Sequence, residues 1–172
     1  MLVFISYSRK NEHFVRLLQG DITNKGFKTW VDFASIQGGE AWQKAIVKGI
    51  KEADIVVVCL SKDSIESGWV RRELFLANSL EKRIIPITVE NCITELQKYE
   101  ETRSLLDKQL IPFQSDYTRG LELLLNALAS NAKNNNQQFG LTYEDWGDAP
   151  ITNAFYGRDD EVNEMQKWIL EE

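Results

Sequence analysis

The stretch Ile55-Val56-Val57-Val58-Cys59-Leu60 decides the fold of this chain. It is a continuous apolar run, rich in β-branched residues, with no alternation of apolar and polar positions. Such a run predicts a strand that is buried on both faces. Strands of this kind lie at the centre of parallel sheets that carry helices on either side. The stretch therefore predicts the middle of an α/β sheet.

Strand-like and helix-length segments alternate on both sides of this run. The other predicted strands are residues 2–6, 27–31, 84–89 and 110–113. The predicted helices are residues 12–25, 41–52, a helix around Trp69, and 121–132. Pro86, inside the fourth strand, indicates a bulge or a place near the sheet edge. Five strands alternating with helices predict a flavodoxin-like α/β fold, a three-layer structure with a parallel sheet in the order 2-1-3-4-5.

Composition narrows the classes of function. The chain has 172 residues, 43% of them hydrophobic, and a formal net charge of -6. The acidic balance disfavours a nucleic-acid partner but leaves an anionic small-molecule ligand open, because binding of a small molecule depends on local groups. There is no apolar run of about 18 residues, so we expect no membrane span. The sole histidine, His13, leaves no cluster for a zinc site, and we expect no metal.

The two cysteines and the first residues of the chain indicate the cellular compartment. Cys59 lies in the apolar run and Cys92 in a polar segment, a placement that predicts two free thiols in a reducing compartment. The chain starts directly with a strand-like run and shows no signal-peptide pattern. We therefore expect a cytoplasmic protein.

Composition changes near residue 133. Residues 133–138 are a low-complexity Lys/Asn/Gln stretch, which predicts a domain end at 132 and a linker over 133–142. The remaining residues, 143–172, are too few to form a core of their own.

Glu73 occupies an unusual place on the predicted helix around Trp69. At roughly 100° per residue it falls near the middle of an apolar arc, which is formed by Trp69, Val70, Leu74, Leu76, Ala77 and Leu80. A carboxylate in such an arc loses hydration that a partner has to replace. Either it pairs with a cation (Arg71, Arg72 or Lys62), or it lines a pocket for a ligand.

The predicted sheet order gives that pocket a place. Ligands of such sheets bind beyond the carboxyl ends of the strands, at the switch point between strands 1 and 3. Ser6, Tyr7, Ser8 and Arg9 follow strand 1, and Ser61 and Lys62 follow strand 3. The loop 32–40 lies alongside, so Glu73 and the expected crevice coincide.

Five short motifs in order then resemble a TIR domain over residues 1–132. They are Phe4-Ile5-Ser6-Tyr7-Ser8, Trp30-Val31-Asp32 with Gly39, Ile55–Leu60 with Ser61, Trp69-Val70-Arg71-Arg72-Glu73-Leu74, and Ile85-Pro86-Ile87. The family fold is the flavodoxin-like sheet that periodicity already predicts.

The tail carries a second resemblance. The segments Asp145-Trp146-Gly147-Asp148-Ala149-Pro150 and Phe155-Tyr156-Gly157-Arg158 look like the start of an NB-ARC-type signalling ATPase module. No P-loop pattern is present in these residues. This resemblance implies the amino-terminal part of a longer bacterial receptor. The alternative is a short protein with a disordered tail.

The TIR resemblance implies one of two activities. Some TIR domains cleave NAD+ to nicotinamide and ADP-ribose or a cyclic ADP-ribose isomer, and others are adaptors that only assemble. Enzymatic members carry a glutamate one turn after a tryptophan on the third helix, and Glu73 after Trp69 matches that pattern. The resemblance thus implies a catalytic role for Glu73 in an NAD+ glycohydrolase, within bacterial immune or cell-death signalling. NAD+ is then the substrate, and no resident cofactor is expected.

The same resemblance implies a binding set around Glu73. Trp30 is placed to stack on nicotinamide, although a core aromatic is the alternative. Tyr7, Ser8 and Arg9 suit a pyrophosphate, although Arg9 can equally be a solvated charge. The complete predicted NAD+-binding set is Tyr7, Ser8, Arg9, Trp30, Asp32, Ser61, Lys62 and Trp69.

The loop 32–40 resembles the BB loop of the family. Gly38 and Gly39 give it backbone freedom, and Phe33 and Ile36 favour contact with another subunit. We therefore expect homotypic self-association through this loop. A phosphoacceptor receiver is disfavoured, because Ser6 and Ser61 stand where it needs acidic residues. A nuclease-like activity is disfavoured by the acidic net charge.

Overall fold

The computed structural model describes residues 1–31 and 40–130. Five strands lie within these residues: β1 (Leu2–Ser6), β2 (Lys28–Trp30), β3 (Ile55–Leu60), β4 (Arg83–Thr88) and β5 (Ile111–Pro112). The helices described are α1 (Glu12–Asn24), α2 (Glu40–Glu52), α3 (Lys62–Glu66), α4 (Gly68–Ser79), α5 (Glu100–Arg103) and α6 (Tyr117–Ala129). Short 3₁₀ helices cover Arg9–Asn11 and Glu95–Gln97.

The strands form one parallel sheet in the order β2-β1-β3-β4-β5. This confirms the predicted order. All six residues of β3 are buried, as its unbroken apolar run requires. Because β1 and β3 are neighbours, their carboxyl ends meet at one edge of the sheet, where the chain order reverses.

Helices cover both faces of the sheet. On one face, α1 and α6 pack on a buried cluster that includes Val3 and Ile5 of β1. Side chains alternate along a strand, so Phe4 and Ser6 point to the opposite face. There Phe4 stacks on Trp30, and the backbone of α2 lies against the Trp30 ring at Gly49. The last residue of β1 therefore faces the helices α2 and α4.

Among the helices, α3, α5 and α6 differ from the sequence prediction. Helix α3 was not predicted, because its five residues are too few to show a helical period. Its start is fixed by a capping box between Ser61 and Ser64. Helix α6 begins at Tyr117 and not at 121, because the Asp116 side chain accepts a hydrogen bond from the Arg119 N–H at 3.0 Å.

Pro86 lies in β4 without a bulge. The pairing of β4 with β3 runs in continuous register through Pro86 and its partner Val58. On the other side, β5 pairs only with Ile87 and Thr88. Pro86 thus precedes the paired segment and has the near-edge place that its missing N–H favours.

Several predictions fall outside the described residues. They are the loop 32–40 before the start of α2, the linker 133–142 and the segment 143–172. The chain divides into the units Met1–Asn135 and Asn136–Glu172, and every described residue belongs to the first. In the described part of the chain, none of the helices has the length and apolar character needed to cross a membrane.

The contact between Gly49 and Trp30 yields a stability prediction. A Cβ built on Gly49 meets Trp30 Cδ2 and Cε2 at 2.8 Å, closer than packed atoms tolerate. Overpacking of this kind costs about 1–3 kcal/mol, and the helix propensity gained by alanine offsets about 1 kcal/mol of it. We expect Gly49→Ala to lower the free energy of unfolding by up to about 2 kcal/mol in urea titrations.

Gly20 in α1 is the matched control. A Cβ built there has no neighbour within 4 Å. Gly20→Ala should therefore raise the free energy of unfolding by about 0.5–1 kcal/mol. Equal effects of the two substitutions would contradict the close packing of α2 on Trp30.

Candidate functional site

Helix α4 carries Glu73 and is fixed to the sheet by its apolar side. Ser67 caps the helix by accepting a hydrogen bond from the Val70 N–H at 3.4 Å. Val70, Leu74 and Ala77 are buried, as their helical spacing predicts. Trp69 differs from its neighbours in the predicted arc, since it is 40% exposed. One border of the arc is thus open, and Glu73 lies between that border and the buried side.

A polar cluster fixes the beginning of α4. The Arg71 guanidinium lies 3.8 Å above the Tyr99 ring and donates to the Ile65 carbonyl at 3.0 Å. The Tyr99 hydroxyl donates to Glu66 at 2.7 Å. Hydrogen bonds from Lys98 and then Tyr99 hold the pKa of the Glu66 carboxyl below its usual range. These contacts join α3, α4 and α5, so the first turn of α4 has a defined position.

Glu73 meets the end of β1. The Ser6 hydroxyl donates a hydrogen bond to Glu73 Oε2 at 2.5 Å. Ser6 is buried, and Glu73 is partly exposed. Of the three cations considered as partners, Arg71 lies on the Tyr99 ring, Arg72 lies above the Trp69 ring, and Lys62 pairs with Glu95. The predicted meeting of Glu73 with the carboxyl end of strand 1 is therefore present.

Trp30 packs into the fold. Its ring stacks on Phe4 with centroids 4.7 Å apart and an interplanar angle of 10°. The backbone at Gly49 lies against the same ring. These contacts give Trp30 the core-aromatic role that the sequence left open. Because the residue is only half-buried, stacking on a ligand stays a prediction.

Ser61 links the end of β3 to the start of α1. Its hydroxyl donates to Asn11 Oδ1 at 2.7 Å and accepts from the Ser64 N–H at 3.1 Å. The hydroxyl is thus occupied on both sides within the protein. A contact of Ser61 with NAD+ stays a prediction.

Lys62 also has partners in the described residues. Its N–H donates to Glu90 at 2.6 Å, and its ammonium group lies 3.8 Å from Glu95. The side chain is largely exposed, so the ion pair contributes little and can exchange for another anion.

Of the predicted binding residues that follow β1, Tyr7 packs inward and Arg9 is exposed. Tyr7 packs against the buried cluster beneath α1 and α6, on the face opposite Ser6. Ser8 directly precedes the 3₁₀ helix Arg9–Asn11, and its backbone carbonyl accepts a hydrogen bond from the Asn11 N–H at 2.7 Å. Arg9 is exposed. Asp32 lies outside the described residues.

A model of the TIR domain family matches residues 3–125 of the chain. The chain belongs to the TIR domain family. Its sheet order and its helix α4 are those implied by the five motifs.

Relatives and solved structures agree with this assignment. This TIR domain is 26% identical over 129 residues to the NAD(+) hydrolase TcpA of Theionarchaea archaeon (strain DG-70-1). The matched segment covers 73% of this chain and 38% of that protein. It is 27% identical over 108 residues to the 2' cyclic ADP-D-ribose synthase BtTIR of Bacteroides thetaiotaomicron, covering 61% of this chain and 38% of that protein. The chain therefore spans under two-fifths of the length of both relatives.

The fold likeness is closer than the sequence likeness. The TIR domain of the Toll-related receptor TRR-2 from Hydra magnipapillata has a TM-score of 0.61 at 18% identity, covering 74% of this chain and 98% of that chain. At this identity the likeness shows the fold alone.

Sequence reasoning missed Asn11 at the edge of this TIR domain. An asparagine at a helix start normally caps its own helix. Here its side chain makes no such bond and accepts instead from Ser61, 50 residues away in sequence. No local pattern could have indicated this contact.

The two cysteines are free thiols, as predicted. Burial raises the pKa of Cys59 well above its usual range. Burial, with the neighbouring carboxylates of Glu90 and Glu95, raises the pKa of Cys92 to about 11. Both are protonated at neutral pH and poor nucleophiles. Among the described residues, no group of three or more His, Cys, Asp and Glu side chains is placed to hold a metal.

Proposed function

We propose that this TIR domain is an NAD+ glycohydrolase that cleaves the nicotinamide–ribose bond, with Glu73 as its catalytic residue. The products are nicotinamide and ADP-ribose, or a cyclic ADP-ribose isomer. The observation that carries the proposal is the Glu73 carboxylate held by Ser6 beside the carboxyl end of β1. The relatives TcpA and BtTIR, named as an NAD(+) hydrolase and a cyclic ADP-ribose synthase, support it.

The chemistry needs one well-placed carboxylate. When the bond between the ribose C1′ and the pyridinium nitrogen breaks, its electron pair goes to nicotinamide, which leaves as a neutral molecule. The positive charge passes to the ribose as an oxocarbenium ion. An ionised Glu73 stabilises this developing charge. Water then attacks C1′ and releases a proton to give ADP-ribose, whereas attack by the substrate's own adenosine moiety gives a cyclic product.

Other residues of the predicted set bind the rest of NAD+ in this proposal. Trp30 and Trp69 form walls of the nicotinamide site, and the open position of Trp69 beside Glu73 supports its part. Tyr7, Ser8 and Arg9 bind the pyrophosphate, for which the exposed guanidinium of Arg9 is available. We assign Asp32, Ser61 and Lys62 to the same binding set.

The domain acts, in this proposal, as the amino-terminal part of a longer cytoplasmic receptor in bacterial immunity. An NB-ARC-like module follows residue 142, and the loop 32–40 contacts a second TIR domain. NAD+ is a substrate here, and the domain needs no resident cofactor.

Activity should depend on protein concentration. If neighbouring domains complete the site, the rate per molecule rises in proportion to concentration while most of the chain is monomeric, so about tenfold for a tenfold increase. The measurement is chromatography of nicotinamide and ADP-ribose products after incubation of the full 172-residue chain with NAD+.

The same assay decides between an enzyme and an adaptor. An adaptor TIR domain self-associates with increasing concentration and releases no nicotinamide. Absence of nicotinamide from samples that light scattering shows to be assembled would therefore overturn the enzymatic proposal.

A further inference from the structure

The Ser6 hydroxyl donates a hydrogen bond to the Glu73 carboxylate, and the two residues stand 67 positions apart in sequence. Ser6 is the last residue of β1 and is 1% exposed. A buried hydroxyl without a hydrogen bond is costly, so a serine at this place needs an acceptor nearby. The Glu73 carboxylate supplies it.

The donor and the acceptor of this hydrogen bond differ in conformational freedom. Ser6 has a short side chain on a strand that pairs with β3 at Val58, so the position of its hydroxyl group is restricted by the sheet. Glu73 has a long side chain on the partly exposed side of α4 and many rotamers in isolation. A bond between a fixed donor and a flexible carboxylate restricts the carboxylate. It also leaves lone pairs of the carboxylate for another donor, because an ionised carboxylate accepts at about four sites.

We propose that Ser6 is a positioning residue for Glu73, whose hydroxyl holds the carboxylate in its reactive orientation. This inference rests on the proposed function of Glu73. A donor on a rigid strand needs no rearrangement during the reaction, which is the condition for efficient electrostatic stabilisation. Ser6 touches no reacting atom in this account and acts through Glu73 alone.

The test is a kinetic comparison of the full chain with its Ser6→Ala variant, which removes only the hydroxyl oxygen. Loss of orientation acts on the chemical step, so we expect kcat for nicotinamide release to fall by about 10-fold to 100-fold. KM for NAD+ should stay within about twofold. Ser6→Thr keeps the donor and should restore much of kcat.

Thr88→Val is the matched control. Thr88 is also buried, and its hydroxyl donates to Gln114 Oε1 at 2.9 Å. It lies on β4, which β3 separates from β1. If a lost buried hydrogen bond were the whole effect, both variants would lower the urea midpoint and leave kcat unchanged. That result would overturn the positioning role.

A double-mutant cycle tests the contact without any enzymatic readout. Ser6→Ala, Glu73→Ala and the double variant are compared by their urea midpoints. A coupled pair predicts that the double variant shifts the midpoint by less than the sum of the single shifts. Additive shifts would overturn the inference.

The outcomes separate the two proposals. If the double-mutant cycle shows coupling but the wild-type chain releases no nicotinamide, the proposed function is overturned, and the positioning role with it. An active wild-type chain whose Ser6→Ala variant keeps its kcat overturns the positioning role alone.

Discussion

Replacement of Glu73 by glutamine is expected to lower the rate of nicotinamide release from NAD+ by a factor on the order of 10²–10³. The substitution keeps the size of the side chain and removes the negative charge that stabilises the ribose cation. The amide oxygen of glutamine can still accept the hydrogen bond from Ser6, so the fold should be retained. The reaction is followed by chromatography at a protein concentration that supports assembly.

Glu81→Gln is the control for this experiment. Glu81 is an exposed carboxylate just beyond the end of α4, and its substitution changes the net charge by the same amount. We expect it to leave the rate unchanged. If Glu73→Gln cleaves NAD+ as fast as the wild-type chain, Glu73 is not the catalytic residue.

Leu74→Ala is expected to have the largest effect on stability. Leu74 is next to Glu73 in sequence but is 0% exposed, on the side of α4 that faces the protein interior. Removing a buried leucine side chain leaves a cavity and typically costs about 2–5 kcal/mol. A domain has a total stability of only about 5–15 kcal/mol. The variant should show a much lower urea midpoint or should not fold.

Leu17→Ala provides the comparison on α1. Leu17 is 50% exposed, so the same chemical change should alter the free energy of unfolding by no more than about 0.5 kcal/mol. Similar losses in the two variants would contradict the burial of Leu74. Together with Glu73→Gln, this pair tests whether two neighbouring residues of α4 have different roles, Glu73 in the reaction and Leu74 in the stability of the fold.

The sequence predicted best those elements whose pattern is local. The bounds of β1 and β3 are as predicted, because each strand is an apolar run with a serine at its last position (Ser6) or directly after it (Ser61). Helix α1 ends one residue before the predicted end, and Gly26 takes the positive φ of 89° that ends helices. Helix α3 was not predicted, because the sequence signals it only by a capping box and about one turn of helix.

The candidate site was predictable in part. The apolar arc of α4 pointed to Glu73, and the sheet order placed Glu73 beside Ser6. Trp69, a member of the same arc, is 40% exposed in the structure. A helical wheel gives the direction of each side chain but not how far the neighbouring elements extend over it. For the same reason the wheel could not show that Arg71 lies on Tyr99.

By itself the sequence determined the order of the strands and of the long helices, the parallel sheet and the membership of the family. These follow from periodicity, caps and short motifs, which act over a few residues at a time. Only the tertiary structure decided that Ser6 donates to Glu73 and that Ser61 is bound to Asn11. These pairs are 67 and 50 residues apart, and each depends on the packing of whole elements that no local pattern encodes.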